Sequence, residues 1–445
     1  MLSYTKAILT QLSVHLRRLW QSLIGSAKNT SLIEKLALVV ILMYYLFYAS
    51  IPVRKPFYTV FPIDTIDRLS LCLLESPQKV NEQYFLLRVQ VLEVGMQRQD
   101  LSFSHGGKGR LEALVPAALV ESLYPGRLFS SSGSRAVFES GSILDCSGSF
   151  MKKNMNTKKT SLPTFFIKRA EQRGWKSGLS QFRALLRLAF KRLLYIWGEG
   201  GSLVLALLSG ERLYLEPRLA DAFRNAGLSH ILALSGMHLS FFAGLTAGFA
   251  SRIFGKKRAP FFSFLAISFF VWFAGFSPSL MRAYICALIG LLSSFASLDI
   301  NLTSVLSISF ILQILIAPDD GMSLSFLLSY SALLGIALFS RFFFSKCIRF
   351  FPEPIALSLS ASLAAQIFTI PLTLAFFGTI TPIGIIATVF ISPLISLFMS
   401  LSITAIILAL CLPQTLFFSG ALIQGLYSFI AFLVVLFAKV PAIQF

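Results

Sequence analysis

Acidic residues are scarce in this chain of 445. Only 20 Asp and Glu stand against 39 Lys and Arg, and the charged types together make up 13% of the residues. An ordinary soluble domain carries about 25% charge. This shortage, beside 55% hydrophobic residues and a mean hydropathy of +0.74, excludes a soluble enzyme or soluble binding module. Cysteine is sparse too, and Cys72, Cys146, Cys286, Cys347 and Cys411 fall in no metal-ligand spacing. Neither a Walker A loop nor HExxH nor a His/Cys cluster occurs, so no cofactor is expected and nothing here would hydrolyse a nucleotide. No repeat or low-complexity tract stands out beyond a Ser-rich turn at 130–134.

Long apolar runs are abundant. They fill the last 220 residues and hold many of the 44 phenylalanines. Their number exceeds a signal peptide plus a soluble domain. After a first span at about 36–51, further spans are expected at about 227–250, 260–277, 279–298, 300–317, 322–345, 354–377, 380–411 and 415–438. The piece at 380–411 holds Pro382 and Pro393 and reads as one bent helix or two short ones, while the apolar piece at 203–208 is too short to cross. The fold class is therefore a polytopic α-helical membrane protein of about nine transmembrane helices.

Basic residues orient it. Lys6, Arg17, Arg18 and Lys28 precede the first span, Arg252, Lys256, Lys257 and Arg258 follow the second, and Arg341, Lys346 and Arg349 follow the 322–345 span. All three clusters are cytoplasmic if the N-terminus is cytoplasmic. Residues 54–160 then lie outside, and they read differently. Leu87, Val89 and Val91 alternate with Arg88 and Gln90, and Leu111, Ala113 and Val115 share a face. Further short strands are expected at 135–139 and 143–146, with Pro125 and Gly126 in a turn. Period-two runs broken by Gly, Pro and Ser indicate a small inserted all-β domain, a barrel or a sandwich, and at this size an OB-like barrel fits. Cys72 and Cys146 both fall in it, and an extracytoplasmic setting permits a disulfide between them.

Residues 54–150 are neutral, with ten charges of each sign, whereas 151–200 carry twelve Lys and Arg against Glu171 and Glu199. A helix is expected over 179–197. Phe182, Leu185, Leu186, Ala189, Leu193 and Ile196 form one face, and Arg183, Arg187 and Lys191, with Arg192 beside them, form a basic stripe. Such a helix lies along a membrane surface. Two readings of the stripe stay open, lipid anchoring and phosphate binding beside a pore entrance. The organisation expected is a basic lead and first span at 1–53, the OB-like domain at 54–160, a basic amphipathic interfacial segment at 161–198 and a membrane bundle at 199–445.

The span after the interfacial segment is unusually polar. His230 and His238, Ser229, Ser235 and Ser240, and Gly227, Gly236 and Gly244 all fall within AGLSHILALSGMHLSFFAGL. Polar side chains in hydrocarbon usually face a bundle interior or a watery path. Eight residues apart on one helix, the histidines are separated by about 12 Å of rise. They would line one cavity at two depths and would not share a metal. Buried histidines bonded to backbone or serine are the plainer alternative. Arg282, after Pro278, is either a snorkelling cation or a cation at a pore mouth. Asp319 and Asp320 end a span, either as caps for the next helix or in a metal or proton role. Pro278, Gln366, Pro371, Pro382 and Pro393 interrupt apolar runs; such breaks pack a bundle or line a transport path.

FRNAGLSHILALSGMHLSFF resembles the signature of the ComEC competence proteins, inner-membrane channels for transforming DNA. SPSLMRAYICALIG, PDDGMSLSFLLSYSALLGI and ASLAAQIFTIPLTLAFFGTITPIGIIA follow in that family's order, covering 200 to about 400. YPGRLFSSSG and the basic segment after it resemble the family's extracytoplasmic OB-like domain more loosely. The resemblance implies a channel, not an enzyme, that carries single-stranded DNA into the cytoplasm during transformation. It places His230, Ser235, Gly236, His238, Arg282, Ser325 and Gln366 at motif positions, as channel-lining candidates. Arg183, Arg187, Lys191 and Arg192 are the DNA-binding candidates. The partners it implies are single-stranded DNA, membrane lipids, a DNA receptor, a cytoplasmic helicase-type ATPase, a separate nuclease and a second copy in a homodimer. Many members continue into a metallo-β-lactamase-like domain. Its HxHxDH motif is absent here and the sequence ends at Phe445, so this chain is not expected to be the nuclease. Thr388 stands where the family pattern has Asn. Two other functions are compatible with the residues. One is an intramembrane hydrolase with His230 or His238 as base and Ser235 as nucleophile. The other is an exporter of anionic lipid or polysaccharide.

Overall fold

A computed structural model describes residues 32–47, 57–96, 101–104, 106–123, 136–151, 164–295 and 300–444. The basic lead, the turns at 125–126 and 130–134, and the four lysines at 152–159 lie outside the described residues. The first helix, α1 (Leu32–Phe47), precedes a β domain of β1 (Tyr58–Thr59), β2 (Arg68–Leu73), β3 (Gln78–Lys79), β4 (Tyr84–Met96), β5 (Leu101–Ser104), β6 (Gly107–Pro116), the short α2 (Ala117–Glu121), β7 (Ser142–Phe150) and β8 (Thr164–Trp175).

Five of these strands close a ring. β2 pairs with β4 and β7, β4 with β6, β6 in parallel with β8, and β8 with β7. The alternating runs are compatible with a barrel or a sandwich, and this pairing makes a closed five-stranded barrel. Leu69, Leu71, Leu87, Val89, Leu111, Ala113, Leu144, Phe165 and Ile167 fill it.

The barrel reaches farther along the chain than expected. Its last strand, β8, occupies 164–175, inside the segment assigned to the membrane interface. Phe165 and Ile167 point inward while Lys168 and Arg169 are exposed. The dense positive charge masked a period-two signal of only a few residues.

The disulfide does not form; both thiols are free and buried. Cys146 pairs in register with Leu69, and Cys72 with Ile143. An offset of three residues puts the two side chains on opposite faces of the sheet, about 10 Å apart along the strand. A disulfide needs Cα atoms within about 7 Å.

After the barrel come α3 (Gly178–Tyr195), α4 (Gly198–Ser209), α5 (Pro217–Asn225), α6 (Ser229–Leu232), α7 (Gly236–Phe254), α8 (Ala259–Ala274), α9 (Pro278–Phe295), α10 (Leu302–Ile316), α11 (Leu324–Cys347), α12 (Glu353–Phe377), α13 (Ile383–Cys411) and α14 (Leu416–Ala438). A two-stranded ribbon joins β9 (Thr379–Ile380) to β10 (Ile443–Gln444). α4 is the short apolar piece. It does not cross but is buried at the bundle centre, where Gln424 Oε1 accepts from the Gly200 N–H at 2.8 Å.

Among the described residues, four segments are long and apolar enough to span a membrane: Leu324–Cys347, Glu353–Phe377, Ile383–Cys411 and Pro413–Ala438. α8, α10 and Pro278–Ser293 are apolar but shorter, so the expected count of about nine is not reached by length. α13 is one helix of 29 residues with Pro393 inside it, which resolves the choice left open at 380–411. The span expected at 227–250 is broken. Ala233 and Ser235 are extended between α6 and α7.

Candidate functional site

The basic stripe does not face solvent. α3 starts at a Ser177/Ser180 capping box and turns its cations inward. Arg187 and Lys191 meet Glu139 at 3.2 and 2.5 Å and Glu211 at 3.4 and 3.0 Å. Arg187 Nη1 also donates to the carbonyls of Phe273 and Ala274, at 2.9 and 3.0 Å, where a cation complements the C-terminal dipole of α8. Arg192 Nε donates to Leu123 O at 2.8 Å. All three are buried.

Burial alone would raise the Glu139 carboxyl, but Lys191 and Arg187 outweigh it and hold the group below the usual carboxylate range. Burial would lower Lys191, yet Glu139 and Glu211 hold it above the ordinary amine value. Two cations and two carboxylates thus lock the β domain onto the bundle. Of the four DNA-binding candidates only Arg183 stays partly exposed, with Nε 3.4 Å from Phe273 O.

The membrane candidates divide. Ser235, Gly236 and His238 share the first turn of α7. Ser235 N donates to His238 Nδ1 at 3.4 Å, and the two side chains lie 3.2 Å apart in a capping box. The break before them is tied to α9, because Ser279 Oγ donates to Leu234 O at 2.7 Å. One turn along α9, Arg282 reaches the same place; a Cβ on Gly236 would sit 3.4 Å from its Nη2. Arg282 Nη1 donates to Ser329 O of α11 at 2.5 Å, and its guanidinium lies 5.8 Å from the Tyr330 ring centroid.

His230 lies on α6, beyond the break, and is exposed, as is Ser325. Gln366 is half-buried on α12. These three do not join the Ser235–His238–Arg282 group. Gly227 joins two of the resembling motifs. Its φ is +71°, and a Cβ there would lie 2.6 Å from Thr381 Oγ1 and 3.1 Å from Gly384 Cα, so AGLSH packs directly on TPIG.

Sequence reasoning missed the polar residues that support Arg282. Gln313, fully buried on α10, donates from Nε2 to Pro278 O at 2.9 Å and to Asp320 Oδ2 at 3.2 Å, and accepts from Tyr330 Oη at 3.2 Å. Ser309 lies 3.2 Å from the same Tyr330 hydroxyl. A lone Gln within ILQIL was the available signal. Asp320 thus serves this network, while the N-cap of α11 is Ser323, which accepts from Phe326 N at 3.2 Å.

Two polar atoms in this group are buried with no hydrogen-bond partner: His238 Nε2 and Arg282 Nε. His238 Nδ1 accepts a backbone N–H, so the neutral ring carries its proton on Nε2. Both unpartnered atoms are then donors, suited to an acceptor such as an anion. No carboxylate contacts His238 among the described residues, and no group of three His, Cys, Asp or Glu side chains there would hold a metal.

The chain is similar to ComE operon protein 3 of Bacillus subtilis (strain 168), 27% identical over 148 residues, which is 32% of this chain and 19% of that protein. It is also similar to YcaI of Escherichia coli (strain K12), a protein described as uncharacterized, 29% identical over 99 residues, 20% of this chain and 13% of that one. The matches thus span under one fifth of each relative's length. No solved structure matches. The sequence model of the competence protein family fits residues 207–445, which contain α5 to α14 and the whole Ser235–His238–Arg282 group, and the chain belongs to that family.

Proposed function

We propose that this membrane protein conducts single-stranded DNA across the cytoplasmic membrane during transformation, with its N-terminus inside and its β domain outside. The observation that carries the reading is the pair of unpartnered donors, His238 Nε2 and Arg282 Nε, buried beside a broken helix. Broken backbone at membrane depth is tolerated where protein shields it or a cavity is lined by it. Two donors in a low-dielectric site favour a phosphodiester oxygen over water. The first turn of α7 adds the positive end of a helix dipole. The β domain would receive the strand; small barrels of this kind bind single strands through stacking and cationic contacts without sequence preference. The strand would be pulled by a cytoplasmic ATPase or by the membrane potential.

The test is entry of fluorescent single-stranded DNA into sealed proteoliposomes holding oriented protein under an applied potential, with a nuclease outside to remove strands that merely bind. Protected DNA is expected with the wild type. It is expected to disappear in His238→Ala and Arg282→Ala proteins that retain their melting temperature. Undiminished entry in those variants overturns the site. Surface binding without protected DNA, even with an ATPase supplied inside, overturns the channel.

A further inference from the structure

α3 is amphipathic in an inverted sense. Its charged face is buried, while Leu179, Phe182, Tyr195 and Ile196 are exposed. Beside this apolar face runs a groove of about 230 Å3. Leu186, Ala189 and Phe190 of α3, Phe273 of α8, and Ile406 and Leu410 of α13 line it. Leu410 and Phe269 are exposed at its edge, so it opens onto the apolar perimeter of the bundle. A lining without polar groups offers nothing to a peptide backbone or a base, each of which needs hydrogen-bond partners, but it suits a hydrocarbon chain.

The charge beside the groove is specific. Arg187 and Lys191 are matched by Glu139 and Glu211. Arg183, on the same stripe, has no carboxylate partner among the described residues. It leans on the Phe273 carbonyl, and Phe273 is itself a wall of the groove. Phe182 stacks on Trp272 at 6.0 Å, which holds this end of α3 against α8. A cation with no carboxylate in ion-pair contact among the described residues therefore stands at one end of a hydrocarbon groove, on the side of the bundle that meets the β domain.

We propose that this groove and Arg183 form a binding site for an anionic glycerophospholipid. One acyl chain lies between α3, α8 and α13, and the phosphate rests on the Arg183 guanidinium. The lipid completes the charge balance of the stripe and fastens α3 to the membrane. The site is separate from the Ser235–His238–Arg282 group and does not depend on the DNA reading.

The test is native mass spectrometry of the full chain, delipidated in detergent and then offered dioctanoyl phosphatidylglycerol or dioctanoyl phosphatidylcholine. Retention of the anionic lipid is expected to exceed that of the zwitterionic one by about fivefold, the weight of one basic side chain at an anionic surface. Arg183→Gln should abolish the preference and Arg183→Lys should keep it. Ala189→Trp fills the groove and should reduce both lipids; Leu410→Trp, at the exposed edge, does the same if the first variant does not fold. Equal retention of the two lipids by the wild type overturns the proposal. So does a preference untouched by Arg183→Gln, or displacement of the anionic lipid by an oligodeoxythymidine that depends on Arg183.

Discussion

Lys191 Nζ lies 2.5 Å from Glu139 Oε1, and this contact joins α3 to the loop before the seventh strand of the barrel. Both side chains are buried. Removing one member leaves a net charge in the buried cluster, although the other ions keep partners, and costs about 3 kcal/mol, the low end for a broken buried pair. Lys191→Met and Glu139→Gln are therefore each expected to lower stability by that amount in thermal or denaturant unfolding. The double variant removes one charge of each sign and keeps Arg187 with Glu211. It should cost clearly less than the two single losses added together. Strict additivity would show that the pair is not coupled.

The same cluster sets a pH window. Glu139 titrates lower in the folded protein than in the unfolded chain. Its contribution is thus present above the unfolded carboxyl value of about 4.3 and is lost as pH falls through the lower folded value. Lys191 titrates higher when folded. Its contribution is present below about 10.4 and is lost as pH rises through the higher folded value. The melting-temperature gap between the wild type and the Glu139→Gln/Lys191→Met protein should be flat from about pH 5 to 10. A gap that changes between pH 6 and 8 would show that another group controls the junction.

Cys72 and Cys146 give a third expectation. Burial raises both thiols above the ordinary value, and a thiol rather than a thiolate is a poor nucleophile. Alkylation of the folded protein should miss both residues, and alkylation after unfolding without reductant should label both. Dithiothreitol should leave the melting temperature unchanged. A stabilising disulfide would instead lower it on reduction.

The barrel was legible in Leu87 to Val91 and Leu111 to Val115, because one buried face forces an alternation that shows in the residues. β8 was hidden, since Phe165 and Ile167 are its two clear inward positions and the run after them is mostly charged. Burial of Arg187, Lys191 and Arg192 was not legible at all. A spacing of four shows that cations share a face, but not which face is buried. That is decided by Glu139 and Glu211, which lie 48 and 24 residues from Arg187. The meeting of Ser235, Gly236 and His238 with Arg282 was partly visible as separate motifs. Its support from Gln313 and Tyr330 depends on how α10 and α11 face one another.

Gly335 fixes one such approach. A Cβ there would collide with the Ala364 carbonyl oxygen of α12, so α11 and α12 touch backbone to backbone, the contact that small residues permit between membrane helices. Gly335→Ala must push the helices apart and is expected to cost about 1–3 kcal/mol, whereas Gly244→Ala, with nothing within 4 Å, should be neutral or stabilising. Comparing the melting temperatures of the two variants checks this. Equal effects would mean that α11 and α12 are not in backbone contact.

Gln313 is where stability and function should separate. Gln313→Leu removes its bonds to Pro278 O, Asp320 and Tyr330. Side-chain hydrogen bonds inside membranes average about 0.6 kcal/mol each, so the three together predict a loss near 2 kcal/mol. Tyr330→Phe removes one hydroxyl with its two bonds, to Gln313 and Ser309, and should cost about two thirds as much. The ring beneath Arg282 stays in place in Tyr330→Phe. In Gln313→Leu the first turn of α9, which carries Ser279 and Arg282, loses its anchor at Pro278. DNA entry should therefore fall much further in Gln313→Leu than in Tyr330→Phe, even at a temperature where both proteins are fully folded. Equal entry in the two variants would show that Gln313 acts on packing alone and does not position Arg282.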